Sequence, residues 1–359
     1  MGFSSCDINN APFRFHKRFV KEFLPLVGQP YNTFGPYPGT PRLMKDSLAR
    51  IGWDTKPIGG DRRRFSYYDS KGFEVGQVHY LKLSRHDTSV SKACSRKNIT
   101  RQLLSNAGLP VPRGFVLDRG DIKLGQYLLP TLGRSVIVKP AHGAASKGLT
   151  VGVRTHAEFN RAWDAALAAS KPNSPIVVEE QILGFDLRAF VVGREFVAGA
   201  TRLQPFVVGD GGTSVSDLVK LDISRRQCHA QLAANPPVID NYSLELQGHS
   251  VDSAPALGEV VFLNPKPTLN DGAVTVEVTP FVSDALKELA IAAVRAIDGL
   301  EIAAVDFIVP SLDSADGAVV LELNEGPGLY MHVMPAIGKP VNVTDEVCEY
   351  LAEGQKTSG

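Results

Sequence analysis

Downstream of Thr155 the apolar residues Phe159, Ala162, Trp163, Ala166 and Leu167 recur at i, i+3, i+4, i+7 and i+8. That spacing is one face of an α-helix. Thr155-x-x-Glu158 forms a capping box that opens it. A second helix begins at Ser283 as N-cap, turns Leu286, Leu289, Ala290, Ala293, Val294 and Ile297 inward, and ends at Gly299. A third covers 97–107 and stops at Gly108-Leu109-Pro110, because Gly suits the C′ position and Pro cannot continue a helix. Between the helices lie short β-branched runs, predicting strands over 135–139, 150–153, 176–180, 187–192, 195–199, 303–309 and 319–323. The first ninety residues differ. They are punctuated by Pro30, Gly35-Pro36, Pro38-Gly39 and Gly59-Gly60, with one helix over 41–51 and strands over 55–58, 64–68 and 73–78. They read as a small α/β or irregular domain. Residues 222–270 are polar and weakly patterned, predicting long loops, and 354–359 predict a disordered tail.

Composition narrows the function classes. The 38 basic and 38 acidic residues cancel, which argues against a broad nucleic-acid or polybasic membrane surface. No apolar run approaches the ~18 residues of a membrane span. Met1 to Cys6 lacks the basic and apolar regions of a signal peptide. The cysteines at 6, 94, 228 and 348 never form C-x-x-C, so the expectation is a reducing cytoplasm without a zinc site or disulfide scaffold. The run Arg62-Arg63-Arg64 is either a solvated turn or an anion clamp.

Three segments carry chemistry. In Val138-Lys139-Pro140-Ala141-His142-Gly143-Ala144-Ala145-Ser146-Lys147-Gly148 a strand delivers a lysine into a loop of small residues. Small side chains let backbone N–H groups approach an anion; a plain Gly/Ser hairpin loop is the alternative. In Glu179-Glu180-Gln181-Ile182-Leu183-Gly184-Phe185-Asp186 a strand ends in two carboxylates, with an aspartate seven residues past the first. Such an end can read an adenine edge and accept ribose hydroxyls, or it is a solvated strand end. In the third, Asp306 lies on one strand and Glu322-x-Asn324 on the next. Alternation puts Glu322 and Asn324 on one face, and this oxygen-only set suits Mg²⁺.

In order and spacing these elements resemble the ATP-grasp superfamily over roughly 92–343, and within it the ATP-grasp part of cyanophycin synthetases and bifunctional glutathione synthetases. The resemblance rests further on Asn106-Ala107-Gly108-Leu109-Pro110-Val111-Pro112, Val208-Gly209-Asp210-Gly211, Gly258 to Leu263, and most specifically Glu325-Gly326-Pro327-Gly328-Leu329-Tyr330-Met331-His332. It implies an α+β ATP-grasp fold, two subdomains sandwiching ATP, behind a small N-terminal domain. The expected divisions are 1–90 on the substrate side, 91–174 with the phosphate loop, 175–353 with hinge and metal site, and the tail. A Mur-ligase-like domain is not expected after residue 359.

The resemblance also implies roles. Lys97 and Lys139 contact phosphates, and the loop with Ser146 and Gly148 closes over them. Glu179, Glu180 and the backbone near Gln181 and Ile182 form the adenine hinge, and Asp186 takes the ribose. Asp306, Glu322 and Asn324 hold one or two Mg²⁺, for which Mn²⁺ substitutes. Arg202 and the Gly328 N–H face the reacting carboxyl group. The implied activity is ATP-dependent ligation of an amino acid or short peptide carboxylate to an amine through an acyl phosphate, by a cytoplasmic homodimer without nucleic-acid or membrane partners. The alternatives are a small-molecule kinase, a ligase modifying a ribosomal precursor peptide, and a non-catalytic binding module. There are two departures, of which the second, a loop, borders the acceptor region. Asn264-Pro265-Lys266 replaces basic residues of the cyanophycin relatives, and Thr268-Leu269-Asn270-Asp271-Gly272-Ala273 replaces a Ser/Thr/Gly loop. A substrate other than cyanophycin is therefore expected. His332 either touches substrate or is a packed structural histidine, and Lys266 is either a replacement charge or a solvated loop residue.

Overall fold

The structure is a computed structural model and describes residues 11–23, 25, 29–83, 88–133, 135–141 and 147–356. At the N-terminus, α1 (Ala11–Glu22) and α2 (Thr40–Arg50) precede an antiparallel sheet in the order β1 (Asp54–Ile58), β2 (Asp61–Tyr68), β3 (Glu74–His79), β4 (Lys82–Leu83). Arg62, Arg63 and Arg64 lie within β2, not in a turn, and all three are exposed. Arg63 is engaged by Asp61 at 2.9 Å.

Next come α3 (Thr88–Ser95), α4 (Lys97–Asn106), β5 (Gly114–Leu117), α5 (Ile122–Leu128), β6 (Val136–Pro140), β7 (Thr150–Val153), α6 (His156–Ala169) and β8 (Ile176–Glu180). The strands pair in the order β5-β8-β6-β7. The Thr155 capping box forms with both of its hydrogen bonds. Helix α6 buries Phe159, Ala162, Trp163 and Ala166 against Val136, Val138, Ile176 and Val178. The opposite face of this sheet carries Lys139, Val177 and Glu179, the last two buried.

The remaining elements are β9 (Phe185–Val192), β10 (Glu195–Leu203), β11 (Phe206–Val208), α7 (Val215–Arg226), β12 (Val260–Phe262), β13 (Val274–Glu277), α8 (Asp284–Arg295), β14 (Ile302–Val309), β15 (Val319–Asn324) and α9 (Val343–Lys356). Five strands form an antiparallel sheet in the order β13-β10-β9-β14-β15, and β11 pairs with β12. Two readings from the pattern change here. The 222–270 region holds the end of α7, two short helices (Ala230–Ala234, Asn241–Glu245) and β12, in place of long loops alone. Helix α9 runs past Gly354 to Lys356, where a disordered tail was the expectation.

Alternation along the five-stranded sheet decides where a site can form. Leu187, Ala189 and Val191 of β9, with Val305 and Phe307 of β14, face α8 and the main core. The other face carries Asp186, Arg188, Phe190 and Val192 on β9. At one end of that face, Phe190, Val192, Ala198, Ile302 and Ala304 pack against Met44, Leu48, Phe65, Tyr67 and Val78 of the N-terminal layer, together with α9. That burial anchors the N-terminal sheet on the larger one. The opposite end of the same face is polar and is left uncovered by this layer.

Candidate active site

The polar end is organised by strand register. Asp306 is directly opposite Glu322 on β15 and directly opposite Arg188 on β9. Arg188 grips Asp306 with a bidentate pair, Nε to Oδ1 at 2.6 Å and Nη2 to Oδ2 at 2.7 Å, the strong planar geometry of guanidinium and carboxylate. Asn324, two residues beyond Glu322, donates from Nδ2 to Asp306 Oδ2 at 3.2 Å. Lys97, at the first turn of α4, reaches Glu322 Oε2 at 3.0 Å. Burial pushes the Asp306 carboxyl up, against the pull of Arg188. Burial also works to raise Glu322, but Lys97 and the surrounding hydrogen bonds outweigh it and hold that carboxyl below its ordinary range.

This donor set fits a hard divalent ion. A carboxylate has about four lone-pair sites, so Asp306 and Glu322 keep acceptor capacity beyond the bonds described. Among the described residues no group of three or more His, Cys, Asp or Glu gathers as a metal cluster. Two carboxylates plus an amide is the sparse set Mg²⁺ takes, since it retains water and phosphate ligands.

The second part of the site is on the face of the β5–β8 sheet opposite α6. Val177 lies opposite Lys139, and Glu179 opposite Ile137, so Lys139 and Glu179 are diagonal neighbours on one face and form an ion pair. Arg101 of α4 approaches Glu179 at 3.8 Å. Lys97, Lys139 and Glu179 line a small cavity of about 30 Å³ together with the apolar Val116, Val177 and Leu321. Both lysines therefore line one small cavity, and Lys97 ties it to Glu322 on β15.

Other candidates are placed differently. Glu180 points to the helix-covered side and is held by Arg113, through its backbone N–H at 2.8 Å and its Nε at 2.9 Å. The Gln181 side chain accepts from the Gly152 N–H at 2.9 Å, and Ile182 is half-buried beside it. At Gly184 an added Cβ would lie 2.4 Å from the Val309 carbonyl, so this hinge sits directly on β14. Asp186 is buried and accepts from Arg202 Nε at 2.8 Å. Gly148 has a φ of +69° and sits under α6, where a Cβ would meet Ala169 at 2.5 Å. Ser146 lies outside the described residues, as does most of the expected phosphate loop. Gly328 is exposed on the segment after β15, with open space where a side chain would be. His332 is fully buried, 3.2 Å from Glu277 and edge-on to Phe190, which is the packed arrangement. Lys266 is exposed. Cys94 is no activated thiol, since burial and then Glu325 push it up to about 12.

Arg188, Arg101 and Glu277 escaped the sequence reading. Arg188 had a signal: it follows Asp186 by two residues in a strand and must share its face. Arg101 follows Lys97 by one helical turn, which puts it on the same side of α4.

The chain belongs to the ATP-grasp superfamily. Cyanophycin synthetase of Synechocystis sp. is 32% identical over 281 residues, covering 75% of this chain and 32% of that protein. The glutathione biosynthesis bifunctional protein GshAB of Pasteurella multocida is 28% identical over 294 residues, covering 76% and 38%. The crystal structure of a bifunctional glutathione synthetase from Pasteurella multocida matches with a TM-score of 0.65 at 22% identity, covering 88% of this chain and 44% of that one. The chain thus spans about a third of the length of the curated relatives it matches. No family model matches it.

Proposed function

We propose that the chain is an ATP-dependent carboxylate–amine ligase acting on an amino acid or short peptide. The observation that supports this reading is that Lys97 lines one small cavity with Lys139 and also pairs with Glu322, whose strand neighbour Asp306 is held by Arg188. A carboxylate is a poor acylating agent until one oxygen attacks the γ-phosphorus of ATP and ADP departs. The amine lone pair then attacks the acyl carbon, phosphate leaves with the C–O electrons, and the amine proton is lost. Phosphoryl transfer depends mainly on positioning and electrostatics. Lys97 and Lys139 supply the fixed positive charge for it. Asp306, Glu322 and Asn324 hold one or two Mg²⁺, or Mn²⁺ in its place, which neutralise triphosphate charge. Arg202 and the Gly328 N–H stabilise the oxyanion on the acyl carbon, each such donor being typically worth about 2.7–4 kcal/mol.

In this reading residues 1–90 border the substrates, 91–174 bring the phosphate loop, and 175–353 bring hinge and metal ligands. The working form is a cytoplasmic homodimer with small-molecule substrates and neither nucleic-acid nor membrane partners. Among the described residues no helix is long and apolar enough to cross a membrane.

The test is a hydroxylamine screen. With magnesium ATP, amino acids and dipeptides are offered with hydroxylamine as the amine. The expected result is ADP and phosphate in equal amounts, with a hydroxamate whose mass identifies the activated carboxylate. A phosphorylated hydroxyl product without hydroxamate would instead assign a kinase.

A further inference from the structure

The five-stranded sheet continues its polar face sideways from the carboxylates. Arg202 on β10 lies directly opposite Thr275 on β13 and bonds Asp186 on β9. Its side chain is one-third exposed, at 32%, so the guanidinium reaches the cleft surface. Two residues further along the chain stands Gln204, which is 2% exposed. Its Nε2 donates to the Pro265 carbonyl at 3.2 Å. A carbonyl can only accept, so this bond fixes which way the amide points. The Gln204 Oε1 is then buried with no hydrogen-bond partner. Asp186 Oδ1, beyond the oxygen that Arg202 engages, is in the same condition. Arg202 thus bonds the carboxylate that carries one buried acceptor without a donor and stands two residues before the side chain that carries another, and such acceptors are costly without a partner.

Resting on the ligase reading, we infer that Gln204 is a specificity-determining residue. Its Oε1 takes an N–H from the protonated amine of a substrate whose carboxylate faces Arg202. A lone ammonium would be repelled by the guanidinium, and a lone carboxylate would leave both acceptors unmet. A zwitterion answers both. The site then selects a free amino acid, or a peptide whose free amine lies close to its carboxylate, over the same compound with its amine acylated. Gln204 has no part in the phosphate or metal chemistry, so it governs which carboxylate enters, not how ATP is held.

The test compares each substrate that gives a hydroxamate with its N-acetyl form, in the natural protein and in Gln204→Leu. Losing a hydrogen bond to a charged group corresponds to roughly 10- to 100-fold in affinity. N-acetylation is therefore expected to raise KM by at least that lower figure in the natural protein. Gln204→Leu should raise KM for the free amino acid comparably, leave KM for ATP unchanged, and erase most of the N-acetyl penalty. If Gln204→Leu fails to fold because the Pro265 bond is lost, the N-acetyl comparison in the natural protein still decides. Hydroxamate formation equally efficient with N-acetyl substrates, or unaltered in Gln204→Leu, would overturn the assignment and leave the ligase reading intact, with ordered water as the partner of Oε1. Absence of any hydroxamate or ADP would overturn the ligase reading and this proposal with it.

Discussion

Glu322→Gln is expected to reduce ADP release by 100-fold or more while leaving the fold nearly unchanged. The substitution conserves volume and keeps one amide oxygen, but removes the charge that would face a divalent ion. Charge stabilisation by a catalytic metal is worth several kcal/mol, and each ~1.4 kcal/mol is a factor of ten in rate. Stability should respond much less. The Lys97 side chain is 42% exposed, and exposed ion pairs contribute only about 0–1 kcal/mol. Steady-state ADP release and urea denaturation on the same preparation separate the two effects. Near-normal turnover would mean the ion-binding set lies elsewhere; a collapse of stability would mean Glu322 is chiefly structural.

Arg188→Met should act in the opposite sense, striking stability first. It leaves Asp306, a buried carboxylate, without its bidentate partner. Breaking a buried pair from one side typically costs about 3–5 kcal/mol, because the other charge stays behind. The midpoint of urea denaturation should fall accordingly. Adding Asp306→Asn to Arg188→Met should recover much of the loss, since the stranded charge is then gone, while turnover should be lost with the Asp306 carboxylate. A single-variant loss below about 1 kcal/mol would show that Asp306 finds another partner or protonates at little cost.

Much of this frame was legible in the chain. The capping box and one-face stripe of α6 and the N-cap of α8 define their helices from local residues alone. The pairing of Asp306 with Glu322 follows from adjacent strands and the side-chain period of two. What stayed hidden has physical reasons. Helix α7 buries Val215, Val219, Asp222 and Arg226. Its inward stripe therefore ends in an ion pair, Arg226 to Asp222 at 2.5 Å, and reads as polar sequence. Ser214, whose side chain accepts from the Asp217 N–H, was the cap that could have revealed it. Helix α9 has a clear stripe at Val343, Val347, Cys348 and Leu351, but Gly354 suggests a stop, and the helix continues through it to Lys356. Burial of the N-terminal layer on Phe190 and Val192 was invisible because it joins residues far apart in sequence. In the site, acidic residues announce themselves by motif. Their cationic partners Arg188 and Arg101 emerge only when register and helix phase are known.

The nucleotide site proposed on these lysines and carboxylates is tested most directly by calorimetry. A non-hydrolysable magnesium ATP analogue is titrated into the natural protein, into the same protein with EDTA, and into Lys139→Met. Saturable heat is expected in the first case, and at least tenfold weaker binding in each of the other two. No heat from the natural protein, or binding indifferent to both EDTA and the lysine change, would contradict a nucleotide site built from these residues.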